Sequence, residues 1–87
     1  MGSLGEALPD GIAKVSELIG RMEKQASEFD DMSPGMGDGT RLVVSVMRAN
    51  RDIAVASLQS NDVVAMIAAY QKLKPAIELA EVDDNDA

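Results

Sequence analysis

The chain has 87 residues and a net charge of −7, and 46% of it is apolar, with a single Phe, a single Tyr and no Trp. That composition describes one small domain with an aliphatic core, too apolar to be disordered and able to bury only about two-thirds of its unfolded surface alone. Cysteine and histidine are both absent, which excludes disulfides and thiolate metal sites and removes the commonest general base and transition-metal ligand.

A non-catalytic protein with no metal and no cofactor is therefore expected. The acidity is uneven. Residues 78–87 carry five acids and no base, whereas residues 33–77 hold Arg41, Arg48, Arg51, Lys72 and Lys74 against three acids. The overall balance argues against nucleic acid bound through a general basic face. No signal-peptide pattern and no apolar run approaching 18 residues is present, so a cytoplasmic protein without a membrane partner is expected.

In chain order, residues 1–9 contain two glycines and a proline and have little pattern, so they are expected to be flexible. Asp10 is placed to cap a helix over about 10–31. There the apolar positions Ile12, Val15, Ile19, Met22, Ala26 and Phe29 step by 3, 4, 3, 4, 3, the rhythm of a helical seam. Glu17–Arg21 and Lys24–Glu28 are ion pairs of helical spacing. Gly20 costs this helix roughly 1 kcal/mol against alanine, and is a candidate for close approach of a neighbour.

Ser33-Pro34 ends that helix, and Gly35, Gly37 and Gly39 supply turn conformations. The glycines lack the GxGxxG spacing, follow a helix where a dinucleotide site needs a strand, and precede no Gly-Lys-Ser/Thr. Asp38 or Thr40 is then expected to cap a second helix over about 40–59. Its polar residues Arg41, Ser45, Arg48 and Asp52 recur at 4, 3, 4, and the rest of its surface is mostly apolar. Such a helix packs against more than one neighbour. A short strand over 42–47 is the competing reading, because Val43, Val44 and Val46 favour extended backbone.

Ser60-Asn61-Asp62 is a turn and N-cap cluster. Beyond it, Val63, Met66, Tyr70, Leu73, Ile77 and Ala80 again step by 3, 4, 3, 4, 3. Pro75 lies inside that pattern, where it removes a backbone hydrogen bond and predicts a kink or restart. The acidic residues 83–87 read as a disordered tail. The organisation expected is a flexible N-terminus (1–9), a single helical domain (10–82) and that tail. The fold class is all-α: a three-helix bundle, or a helical hairpin plus a third helix kinked at Pro75, completing its core by self-association.

The densest polar group is Arg41, Arg48, Asn50 and Arg51. Arginine grips carboxylates and phosphates bidentately, so this group is the candidate for holding a partner's acidic group or an anion at the N-terminus of the second helix. Arg48 and Asp52 are spaced to pair along the helix. The carboxylates near 30–38 and 83–86 do not fit a calcium-loop spacing. Met22 and Met66 fall on the seams, whereas Met32 and Met36 flank the turn and are expected to be exposed. The seam residues Ile12, Val15, Ile19, Met22, Phe29, Val63, Met66, Tyr70 and Leu73, together with the broad apolar face of the second helix, are the candidates for self-association, a dimer first.

The stretch NDVVAMIAAYQKLKPA at 61–76 resembles the start of the second helix of type III secretion needle subunits through Ala68, Ala69, Tyr70, Gln71 and Leu73. That resemblance implies a helical hairpin that polymerises. Pro75 and the acidic C-terminus depart from it. The function expected is a protein–protein interaction module, an adaptor, regulator or inhibitor with a protein partner. The alternatives are a structural subunit of a secretion or virion assembly, and a binder of small anionic ligands.

Overall fold

The computed structural model describes residues 3–85, and side chains over residues 3–82. Three helices pack against one another in every pairing, as a three-helix bundle: α1 (Leu4–Met32), α2 (Asp38–Ser60) and α3 (Val63–Asn85). No strand occurs among the described residues, so residues 42–47 are helical. The longest dimension is 44 Å, about the length of α1 at roughly 1.5 Å per residue. α1 and α2 run antiparallel, because Asp30 pairs with Arg41 while Glu23, a turn or two earlier, pairs with Arg48.

α1 starts at Leu4, six residues before the expected cap at Asp10. Residues 4–9 are therefore its first turns and not an unpatterned lead-in. The Ser3 carbonyl opens the helix by accepting the N–H groups of Glu6 and Ala7. Pro9 is inside it, a placement that forfeits a hydrogen bond. The compensating gain is Leu8, which is wholly buried; burying a leucine side chain contributes about 1.5–3 kcal/mol. Asp10, an interior residue, pairs with Lys14 at 3.2 Å. Of the pairs expected within α1, Glu17–Arg21 stands at 3.9 Å.

The core is where the two seams went. Val15, Ile19, Met66 and Leu73 are buried, and Ile12, Met22 and Tyr70 pack against them partly buried. Ala26, Ile77 and Ala80 join the same interior. Leu8, four residues before Ile12, extends the α1 seam by one turn, and Leu18 joins the interior from beside it. Phe29 is half-buried, and Val63, at 60% exposure, stays outside. Most of the residues expected to join two copies thus join the helices of one. Because each seam meets the other within the chain, little of either remains for a partner.

Glycines mark the closest approaches. A Cβ on Gly11 would come within 2.6 Å of Ile77 Cδ1, whereas one on Gly20 would meet nothing within 4 Å. The close approach expected at Gly20 is at Gly11, between α1 and α3.

The turn 33–37 works as expected at Gly35, whose φ of +84° favours a residue without a side chain. Gly37 precedes α2, and no side chain caps that helix. Asp38 and Thr40 therefore do not serve as caps. Gly37 is instead pressed against α1, where a Cβ would clash with the Ala26 carbonyl. Met32, just before the turn, and Met36, within it, are both exposed.

At the other connection Asn61 adopts φ 60°, ψ 28°, a left-handed C-cap. Asp62 caps α3, its Oδ1 accepting the N–H groups of Val64 (3.0 Å) and Ala65 (3.2 Å). α3 continues through Pro75 to Asn85 without restarting. The expected acidic tail is therefore helical in backbone over 83–85, and Asp86 and Ala87 lie outside the described residues.

Candidate functional site

Two surfaces could carry a function: the arginine group predicted on α2, and an apolar face that its other side presents to solvent.

Arg41 and Arg48 lie on the narrow polar stripe of α2 that borders α1, and Arg51 lies to one side of it. Arg41 forms an ion pair with Asp30, in the last turn of α1, and a second with Asp38 at 3.4 Å. Arg48 pairs with Glu23 of α1 at 2.7 Å, and not with Asp52. Asp52 is taken by Arg51 at 3.2 Å. Arg41 and Arg48 line a shallow cleft of about 260 Å³ with Glu23, Ser27, Val44 and Ser45. Asn50 is elsewhere, in a groove between α2 and α3. The four predicted residues therefore do not converge, and each arginine is matched by a carboxylate of the same chain.

The start of α2 is occupied in the same way. The Gly37 N–H donates to Asp30 Oδ1 at 2.8 Å, while the other oxygen of that carboxylate accepts from Arg41. The Met36 and Asp38 N–H groups donate to the carbonyls of Ser33 and Gly35. Arg41 foremost, and then the Gly37 amide, hold the Asp30 carboxyl below the usual carboxylate range. Asp30 in turn raises Arg41. A guanidinium beside the amides of a helix N-terminus is an anion site, and Asp30 is the anion.

Between α1 and α3, Lys14 bridges Asp10 and Glu81, and these bonds raise its pKa, Glu81 most. Among the described residues no three carboxylates gather into a metal site, and no helix is long and apolar enough to cross a membrane.

The second surface is the broad apolar face of α2. On α2, Leu42 is 69% exposed, Val46 56% and Ile53 48%. With exposed Ala49 they recur at spacings of 4, 3, 4, which places them on one stripe. Val43, 46% exposed, flanks that stripe on the α3 side. The stripe contains no charged residue from Leu42 to Ile53. It borders a groove of about 320 Å³ between α2 and α3, lined by Val43, Val46, Met47, Asn50, Lys72, Pro75, Ala76 and Leu79.

The signal was available. α2 has a polar stripe too narrow for a surface helix and an apolar arc too wide for two neighbours to cover. The expected packing against more than one neighbour holds, but α1 and α3 cover only the part that holds Val44, Met47 and Ala54.

Compared with known proteins, the chain matches no family model, no curated protein and no solved structure. The likeness of residues 61–76 to needle subunits thus has no family match behind it, and the chain forms three helices where that family forms a hairpin.

Proposed function

We propose that this chain is a non-catalytic protein-interaction domain, and that it meets its partner through the uncharged outer stripe of α2 and the adjoining α2–α3 groove. The observation that carries this reading is the exposure of Leu42, Val43, Val46 and Ile53 together on one face. Single exposed apolar residues are ordinary, but contiguous ones on a small domain mark a contact surface. The arginines play a different part: Arg48 ties α2 to α1, Arg41 ties it to α1 and to its own first turn, and Arg51 is matched by the adjacent Asp52. The absence of His and Cys supports a role without chemistry.

The test is affinity capture from the source cells with the wild-type chain and with Val46→Glu and Arg48→Glu variants, after circular dichroism has established equal helical content. A protein partner retained by wild type and Arg48→Glu and lost by Val46→Glu is the expected result. Capture that Val46→Glu leaves intact would remove this face from the reading.

A further inference from the structure

The outer stripe of α2 has a feature that bears on what covers it. Its apolar residues are arranged symmetrically about a point between Val46 and Ala49: Leu42 stands four residues before Val46, and Ile53 four residues after Ala49. A second α2 laid antiparallel across the stripe places Leu42 of one copy against Ile53 of the other. Val46 then faces the neighbourhood of Ala49, and the small alanine lets the helices approach. That is the self-complementarity a two-fold interface needs. We infer that the occupant of this face is a second copy of the same chain, joined α2 to α2 about a two-fold axis near Ala49. The inference rests on the interaction face proposed above and names its partner.

Two quantities favour this occupant. The first is area. Leu42, Val43, Val46, Ile53 and Leu79 are each about half exposed or more. A half-exposed aliphatic side chain offers on the order of 100 Å², so a contact that covers both the stripe and the adjoining groove in two copies removes about 1,000 Å² from water, the threshold for a specific interface.

The second is charge, which opposes this contact less than it would one through α1. Each chain carries −7, and two copies meeting at random repel. The helices do not share that charge equally. α1 has seven acids against three bases, whereas α2 has Arg41, Arg48 and Arg51 against Asp38 and Asp52. An α2–α2 contact joins the copies on their one net-basic helix and keeps the α1 carboxylates on the outside, where salt screens them beyond about 8–10 Å.

The experiment is sedimentation of the full chain from micromolar to millimolar concentration, with cross-linking as a geometric check. The wild type is expected to reach twice its 9.2 kDa mass, and to associate more tightly at 0.5 M than at 0.05 M salt. Val46→Glu is expected to be monomeric throughout, with unchanged helical content. The native chain has no cysteine, so Ala49→Cys is expected to form an intermolecular disulfide on oxidation, while Gln25→Cys on exposed α1 remains unlinked. A wild type that stays monomeric overturns the second copy as occupant and leaves the wider interaction reading to the capture test. A dimer that Val46→Glu leaves intact overturns the α2–α2 arrangement and likewise leaves the wider interaction reading to the capture test. Growth into large assemblies overturns the closed two-fold arrangement.

Discussion

The Asp30 carboxylate, at the end of α1, accepts the Gly37 backbone N–H at 2.8 Å just ahead of α2. With Arg41 on its other oxygen, this one side chain closes the α1–α2 turn and neutralises the start of α2. Its folded pKa lies below the ordinary 3.8, so its contribution to stability is fully present above that value and is lost as the pH falls through the lower folded one. Asp30→Asn should therefore melt below wild type at pH 7, and the gap should narrow as wild type is acidified through that window. Thermal melts at pH 7, 5, 4 and 3 check this; a gap that stays constant would show that the charge on Asp30 is not what holds the turn.

Gly37 is needed for space. Its φ of −86° suits any residue, but a Cβ would overlap the Ala26 carbonyl, 2.9 Å from its carbon, and backbone atoms cannot step aside. Gly37→Ala should cost about 1–3 kcal/mol, the range for overpacking a close contact. Gly39→Ala, where nothing lies within 4 Å, should be neutral or stabilising. Urea unfolding of the two variants separates the effects.

Gly11 and Gly20 lie in the same helix and should respond with opposite signs. Gly20→Ala fills open space and should stabilise α1 by about 0.5–1 kcal/mol. Gly11→Ala meets Ile77 Cδ1 at 2.6 Å, inside the core, and should destabilise by about 1–2 kcal/mol in spite of the better helix former. Ile77→Val removes that Cδ1, so the double variant should lose less than the sum of the single losses. Strict additivity in the cycle would show that the two residues do not press on each other.

Asp62 supplies two hydrogen bonds to the first turn of α3. Asp62→Ala should cost about 0.5–2 kcal/mol, and Asp62→Ser or Asp62→Asn should recover most of it. Equal losses in all three variants, measured by denaturant midpoint, would assign the role to something other than capping.

Much of the architecture was readable because it is local. The Asp62 cap, the left-handed Gly35 and the 3, 4 spacing of both seams depend on residues within a turn or two of each other. The early start of α1 was hidden because Pro9 and two glycines speak against a helix there, and only the packing of Leu8 outweighs them. The arginine partners were hidden for a related reason: Arg48 has Asp52 at helical spacing, yet it pairs with Glu23, 25 positions away, because α1 lies beside that stripe of α2.

The sequence by itself determined three helices, the two turns between them and the seams, since backbone geometry and side-chain period act over a few residues. Tertiary structure alone decided which apolar surface stays in water. Once the α1 and α3 seams had closed on each other, α2 contributed Val44, Met47, Ala54 and Ser57 to the interior, with Leu58 packed partly buried against it. A bundle of three helices has no fourth to cover the far side of α2. That leaves Leu42, Val46 and Ile53 exposed, and they are the residues on which its function is proposed to rest.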